Sequence, residues 1–318
     1  LTVETIQANR LGIEPQVRRF VAGADEKAIV VDNAEWLAPL NYLDFLRDIG
    51  RHFSVNRMLA AEAYRQRMEK GLSFIEFNYQ ILQAYDYLVL YRKYGCALQV
   101  GGDDQWGNIL AGTDLIRRLH QAETYALTFP LITTAAGAKM GKTAAGAVWL
   151  SADRTSPFDF YQYFVNVDDR DVVRFLKLLT FVPMDEINRL ASLEGAELRS
   201  AKQTLAFEAT AIVHGKEAAD LAQNAARAAF GGGGGDLVPT YILTAADVQT
   251  SIKTVDVLAA AGLAVSKSAA RRLVEQGGVR LGERKVTSVD DIVRADEIAP
   301  DGTLLHVGKK HVRRILVR

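Results

Sequence analysis

Apolar positions recur along this chain in two patterns, which separate a mixed α/β part from a helical part. Up to about residue 150, short apolar runs typical of strands alternate with stretches in which apolar residues recur every three or four positions. This alternation predicts a parallel sheet with helical crossovers. The predicted strands are 27–31, 97–100 and 127–133, and the predicted helices are 1–22 (interrupted near Gly12 and Pro15), 42–50, 55–70, 74–94 and 106–120.

After Ser156-Pro157 the strand pattern stops, and long helical patterns over 159–181, 184–194 and 197–230 predict a helical domain. The glycine run 231–235 reads as a linker, because a phosphate-binding loop would need Lys and Ser/Thr beside it. Beyond it, helices at 255–261 and 267–276 and strands at 278–281, 285–288, 304–307 and 313–317 predict a small α+β module. The predicted boundaries are 1–150 for the α/β domain, 151–235 for the helical domain, 236–253 for a linker and 254–318 for the module.

Composition indicates a globular protein. The 318 residues are 49% hydrophobic, enough for a sizeable core, and no apolar run is long enough for a membrane span. The single cysteine, Cys96, lies in an apolar run and is expected to be a buried, inert thiol. We expect a cytoplasmic protein that does not bind membranes. The chain opens with Leu1 in mid-pattern, so we also expect that an N-terminal segment is missing.

Charge is balanced overall but uneven along the chain. The formal net charge is zero, which argues against a general nucleic-acid coat protein. Residues 254–318 nevertheless carry twelve Lys/Arg against eight Asp/Glu, while the rest of the chain carries twenty-six against thirty. Charge alone leaves two readings of this tail open, a nucleic-acid surface and an ordinary solvated basic face.

Three polar side chains share one face of the predicted helix 74–94. Tyr79, Gln83 and Asp86 are spaced i, i+4 and i+7, so a phenol, an amide and a carboxylate converge. Such groups can hold an ammonium and a hydroxyl group in a partly apolar cavity. Taken alone, the same spacing slightly favours a polar network that packs one helix against another.

A glycine pair follows the predicted strand 97–100. Gly101-Gly102 allows a ligand to approach the backbone closely, and Asp104 and Gln105 then stand at the carboxyl end of the strand, where open α/β sheets bind ligands. A tight turn with solvated polar residues is the alternative reading.

Two lysines lie three positions apart in the segment 135–145, which we call the lysine loop. Lys139 and Lys142 stand between Gly137 and Gly146, so they are placed to reach a polyphosphate and neutralise charge that develops during nucleotidyl transfer. Paired lysines in a solvated loop are common, and the pattern gains weight only from its position after the strand and the polar face.

Together these motifs resemble bacterial tyrosyl-tRNA synthetase, a class I aminoacyl-tRNA synthetase. The resemblance extends over nearly the whole chain and includes a C-terminal module similar to the S-four-like RNA-binding domain. It is carried by Phe77-Asn-Tyr79-Gln-Ile-Leu-Gln83-Ala-Tyr-Asp86, Leu98-Gln99-Val-Gly-Gly-Asp-Asp104-Gln105-Trp-Gly-Asn108, Lys139-Met-Gly-Lys142-Thr143 and Ala261-Gly-Leu-Ala-Val-Ser-Lys267-Ser-Ala-Ala-Arg271-Arg272.

The resemblance implies a role for each matching residue. Tyr79 and Gln83 would bind the α-amino group of L-tyrosine, and Asp86 would receive its phenol. Gln99 would line the same pocket, while Gly102, Asp104 and Gln105 would hold the adenylate. Lys139, Lys142 and Thr143 match the catalytic signature loop, in which Gly141 and Thr143 depart from the usual Lys-Met-Ser-Lys-Ser; Lys142 would contact ATP.

By the same resemblance, the expected reaction is ATP-dependent formation of tyrosyl-adenylate, with Mg²⁺, followed by transfer to tRNA-Tyr. The tRNA would be read partly by the helical, anticodon-binding domain 151–235 and partly by the C-terminal module. No protein-ligated metal and no protein nucleophile are expected. The family dimerises through helices near the region from Arg47 to Phe74. The apolar residues there could supply that surface or simply belong to the core, namely Phe53, Val55, Met58, Leu59 and Phe74. The residues expected to bind RNA are Lys267, Arg271, Arg272, Arg280, Arg284 and Lys285.

One family motif is missing from these 318 residues. The His-Ile-Gly-His tetrapeptide of the ATP site is not found, and the five histidines stand in unsuitable contexts. We therefore expect this polypeptide by itself to be a fragment with little tyrosine-activating activity. The alternatives are a non-catalytic RNA-binding paralogue on the synthetase scaffold and, less favoured, a tryptophanyl enzyme, which usually lacks the terminal RNA-binding module.

Overall fold

The computed structural model describes residues 2–21, 28–60, 64, 68, 71–137, 140, 142–143, 146–231, 238–308 and 311–318. The chain divides into two compact units, Leu1–Ile132 and Thr133–Arg318. Within the described ranges, no helix combines the length and the apolar character needed to cross a membrane.

The first unit places helices beside a two-stranded parallel sheet. The strands are β1 (Leu98–Gly102) and β2 (Tyr125–Phe129), aligned from Leu98 opposite Tyr125 to Gly102 opposite Phe129, which confirms the predicted parallel pairing. α1 runs unbroken through Gly12 and Pro15, where the sequence predicts an interruption. The described helices are α1 (Val3–Val21), α2 (Ala34–Leu37), α3 (Tyr42–Asp48), α4 (Val55–Leu59), α5 (Phe74–Tyr94) and α6 (Trp106–His120).

Helix α5 has the bounds that its apolar pattern predicts, because both of its ends are marked in the sequence. Ser73 and Glu76 form a reciprocal capping box at the start, and Gly95 ends the helix in the left-handed conformation with φ 66°. α6 packs closely on α5: a Cβ at Gly112 would lie 2.8 Å from a ring carbon of the fully buried Tyr87. The two helices form the core of this unit.

In the part of the chain that the structure describes, one face of the β1–β2 sheet is covered and the other is not. The other, which we call the outer sheet face, carries large apolar side chains that are each about half exposed, namely Leu98, Val100, Tyr125, Leu127 and Phe129. Of the predicted strand 27–31, the described residues 28–31 form no strand. Their backbone has no strand partner, and a short apolar run alone does not make a strand.

The first part of the second unit is mainly helical. Two of the three long helical patterns are divided by a local stop signal: Asp168 caps α8, and Gly215, with φ 91°, separates α10 from α11. A short antiparallel pair, β3 (Lys142–Thr143) and β4 (Gly146–Ala147), precedes them. The helices are α7 (Pro157–Val165), α8 (Asp169–Leu179), α9 (Met184–Ala191), α10 (Leu198–His214) and α11 (Lys216–Gly231).

A five-stranded sheet closes the second unit, in the order β5-β9-β8-β6-β7. All neighbours are antiparallel except β5 and β9. Strand β5 and helix α12 lie within 236–253, the segment expected to be a linker; the glycine run 232–235 lies outside the described residues. The remaining elements are β5 (Thr240–Leu243), α12 (Ala245–Gln249), α13 (Thr254–Ala260), α14 (Lys267–Glu275), β6 (Val279–Leu281), β7 (Arg284–Lys285), β8 (Thr303–Val307) and β9 (His311–Val317).

Candidate active site

A cavity of about 700 Å³ lies in the first unit between α1, residues 30–36, α5 and β1. Two predicted substrate-binding residues, Asp86 of α5 and Gln99 of β1, line it. Arg10 closes one side by ion pairs with Glu14, at 3.2 Å, and Asp32, at 3.4 Å. The lining contains one arginine against four carboxylates, so the cavity carries a net negative charge.

Asp86 is held by two donors that sequence reasoning did not identify. Trp36 Nε1 donates to one carboxylate oxygen at 2.7 Å, and Asn33 Nδ2 donates to the other at 3.1 Å. Burial raises the pKa of Asp86 above its ordinary value, although both hydrogen bonds act to lower it. Asn33 and Trp36 stand three positions apart at the start of α2, and no periodic pattern marks them.

Gln99 offers a free acceptor beside this carboxylate. Its Oε1 atom is buried and has no hydrogen-bond partner among the described residues. Buried polar atoms are normally paired, so an orphaned acceptor at a cavity wall is a place where a ligand donor gains a hydrogen bond.

A chain of side-chain hydrogen bonds joins three more of the predicted residues. Asn108 of α6 donates through Nδ2 to Gln83 at 3.1 Å and to Gln105 at 3.2 Å, and Gln105 Nε2 donates to Asp104 at 3.1 Å. Gly102 leaves room for the Asp104 carboxylate, because a Cβ at Gly102 would lie 2.6 Å from Asp104 Oδ1 and this oxygen would have to shift. The predicted Gln83, Asp104 and Gln105 therefore form one network. Asn108, which is not among the predicted site residues, joins Gln83 to Gln105.

The remaining predicted substrate-binding and catalytic residues are Tyr79 and three residues of the lysine loop. Tyr79 shares α5 with Gln83 and Asp86, but 57% of it is exposed. The backbone of Lys142 and Thr143 forms β3, while Lys139 lies outside the described residues.

Five of the six residues expected to bind RNA are exposed on the C-terminal module. Arg284 instead forms hydrogen bonds within the module, because its guanidinium donates to Glu297 at 2.9 Å and to the Ile292 carbonyl at 3.3 Å. Lys267 pairs with Asp256 at 2.7 Å. The exposed residues are Lys267, Arg271, Arg272, Arg280 and Lys285.

Comparison with known proteins decides the family. The family model described as tRNA synthetases class I (W and Y) matches residues 1–231. The chain belongs to this class I synthetase family. Among curated proteins, tyrosine–tRNA ligases of Clostridium botulinum strain Eklund 17B and Clostridium tetani are each 50% identical to the whole chain, which covers 78% of their length.

The predicted resemblance to tyrosyl-tRNA synthetase is thus confirmed, and so is the C-terminal module, since the S4 domain model matches residues 255–298. Solved structures agree on the fold of this synthetase. C-terminally truncated mitochondrial tyrosyl-tRNA synthetases of Coccidioides posadasii and Aspergillus nidulans are 30% and 32% identical, each with a TM-score of 0.53 over 69% of this chain and 65% and 64% of theirs.

Proposed function

We propose that the chain is a tyrosine–tRNA ligase that works in the cytoplasm, activating L-tyrosine with ATP and transferring it to tRNA-Tyr. The observation that carries this proposal is the cavity that brings Asp86 and Gln99 together inside a chain whose full length matches tyrosine–tRNA ligases. A net negative lining suits the ammonium group of an amino acid, and paired acceptors suit a phenol that donates.

The chemistry requires no protein nucleophile. The tyrosine carboxylate attacks the ATP α-phosphate and pyrophosphate leaves; the adenylate then reacts with the terminal ribose of the tRNA, releasing AMP. Lys139 and Lys142 would balance the phosphate charge, and Mg²⁺ would accompany ATP. Phenylalanine has no hydroxyl to donate to Asp86 or to Gln99 Oε1, which is unpaired within the described part of the chain; tyrosyl-tRNA synthetase is itself the standard example of this discrimination, at about 10⁵-fold.

Tyrosine-dependent pyrophosphate exchange tests the proposal. We expect the 318-residue polypeptide, which contains no His-Ile-Gly-His, to show little exchange, and robust exchange would contradict that expectation. In an enzyme that joins this chain to a His-Ile-Gly-His segment, Asp86→Ala should weaken tyrosine activation far more than phenylalanine activation. An unchanged preference for tyrosine would remove Asp86 from its proposed role.

The pH dependence of tyrosine binding follows from the raised pKa of Asp86. Since the ionised carboxylate is the better acceptor, affinity is expected to fall as pH drops through a value above 3.8. Asp86→Asn should remove this dependence. Calorimetric titration from pH 7 downward measures it, and an identical pH profile in the variant would rule out Asp86 as the titrating group.

The exposed basic residues of the S4 domain are proposed to track the tRNA backbone. Replacing Arg271 and Arg272 together with Ala should weaken binding and reduce the slope of log affinity against log salt by about two. Arg19→Ala, at an exposed arginine outside both the module and the helical domain, serves as the control. Filter binding between low and physiological salt gives both the affinity and its salt slope. If the double variant had the same slope as the wild type, Arg271 and Arg272 would not contact the RNA.

We propose a homodimer whose interface includes Val55 and Phe74, which are 54% and 68% exposed. Met58, another interface candidate, is 4% exposed and belongs to the core. Light scattering should therefore find Phe74→Asp monomeric at concentrations where Phe181→Asp, a change at an even more exposed aromatic, stays dimeric. Equal masses for the two variants would contradict this interface.

A further inference from the structure

The start of the lysine loop is bonded to one helix of the second unit. Asp171, in the first turn of α8, accepts a hydrogen bond from the backbone N–H of Ala135 at 2.9 Å. One helical turn later, Arg174 Nη1 donates to the Thr133 carbonyl at 3.2 Å. Two side chains of α8 therefore hold two consecutive peptide groups on the strand-to-loop side of the lysines.

The burial of Asp171 marks this contact as more than a surface bond. Only 3% of the residue is exposed, and a carboxylate is costly to bury unless its oxygens accept hydrogen bonds. A hydrophobic residue would be the ordinary occupant, since α8 buries Val172, Phe175 and Leu176 on the neighbouring positions. The sequence thus places a hydrogen-bond acceptor at this buried position, where it meets the Ala135 N–H.

The chain after the lysine loop is also fixed within the second unit. The backbone N–H of Trp149 donates to Thr155 Oγ1 at 2.9 Å, and the Arg154 guanidinium lies 4.2 Å from the centre of the Trp149 ring. β3 and β4 pair between these two points. The described residues on both sides of the lysine loop in sequence, 133–135 and 149–155, are therefore bonded within this unit.

We propose that Asp171 and Arg174 are positioning residues for the lysine loop, because they fix the backbone of residues 133–135 at which it starts. The part played by the lysines rests on the proposed function, whereas the anchor does not. Because α8 lies in the helical domain expected to bind tRNA, a displacement of α8 by RNA reaches the ATP-binding lysines through these two bonds.

Amide exchange and trypsin cleavage test the anchor in the 318-residue chain. In Asp171→Ala, exchange in peptides covering 133–137 and cleavage after Lys139 and Lys142 should each become about tenfold faster, since a bond to a charged group is lost. Asp171→Asn keeps an acceptor for the Ala135 N–H and should stay within about threefold of the wild type.

Asp169→Ala is the matched control, because Asp169 is an acid of the same helical turn whose partner, Lys202, lies outside the loop. It should leave loop exchange and loop cleavage unchanged. If circular dichroism shows that Asp171→Ala does not fold, Arg174→Ala provides the test. The same rise in exchange and cleavage rates, confined to the lysine loop, is expected for it.

Loop rates within twofold of the wild type in the folded variants would overturn the proposal. So would an equal rise in every peptide of 157–214, since that is the result of a general loss of stability. Neither readout requires tyrosine, ATP or RNA, so failure of the proposed function leaves this test intact.

Discussion

Replacing Trp36 with Phe isolates the strongest hydrogen bond on Asp86. The change keeps an aromatic ring but removes the Nε1 donor that lies 2.7 Å from the carboxylate. Because that bond stabilises the ionised form, the pKa of Asp86 in the folded variant should rise further above its ordinary value. Asn33 remains as the second donor, so the carboxylate keeps one partner.

The magnitude follows from the difference between a charged and a neutral hydrogen bond. Bonds to charged groups contribute about 1.5–3 kcal/mol, and neutral ones about 0.5–1.5. Asp86 is only half-buried, so the charged part should be about 1 kcal/mol at pH 7. The smaller ring costs additional packing, and it weakens the contact with Lys93, which lies 5.5 Å from the Trp36 ring centre; neither loss depends on pH between 4 and 7.

Urea denaturation of a double-mutant cycle separates these contributions. The cycle combines Trp36→Phe with Asp86→Asn, whose amide oxygen still accepts a neutral hydrogen bond. The coupling free energy should be about 1 kcal/mol at pH 7. It should disappear as pH falls through the pKa of Asp86, because a protonated Asp86 and an Asn then accept equally weak bonds.

A coupling free energy that is the same at pH 7 and in acid would refute this reasoning, as would a value within error of zero at pH 7. The first result would mean that the coupling does not depend on the charge of Asp86, and the second that Trp36 contributes packing alone. Asn33→Ala provides an independent comparison, with a smaller coupling expected from its longer 3.1 Å bond.

Two further predictions concern the fold. Gly112→Ala should lower the free energy of unfolding by about 1–3 kcal/mol, because its Cβ would collide with Tyr87. Gly107 lies on the same helix with open space around it, so Gly107→Ala should be neutral or stabilising. Urea denaturation of the two variants measures the difference. Arg313→Met should lower it by about 1–3 kcal/mol through loss of the two-pronged bond to Asp159, at 2.7 and 2.8 Å, and an unchanged unfolding midpoint would show that this pair contributes nothing net.

Local signals explain which elements could be predicted. α5 and α6 begin and end where their apolar patterns do, and Ser73 and Gly95 mark the ends of α5 chemically. Strand β5 was not predictable in this way, since its four residues become a strand only by pairing with β9, which lies about 70 positions later in the chain. Non-local pairing leaves no periodic trace in so short a segment.

The residues of the candidate site also divide into those that have a local signal in the sequence and those that depend on tertiary packing. Tyr79, Gln83 and Asp86 share a helix face that spacing alone predicts, and the glycine turn after β1 has its own local signature. Trp36 reaches Asp86 across 50 positions, and Asn108 joins Gln83 to Gln105, so both depend on how the elements pack. A residue whose importance lies in its tertiary partner is not visible to pattern reasoning.

The outer sheet face affects the solubility of the purified polypeptide. Five half-exposed apolar side chains form a continuous water-facing area of a kind that monomeric proteins seldom present. With a formal net charge of zero and a pI near 7.2, molecules near neutral pH have no long-range repulsion to keep such areas apart. Buffers well away from pH 7.2 should therefore hold the chain in solution at concentrations where neutral buffers precipitate it.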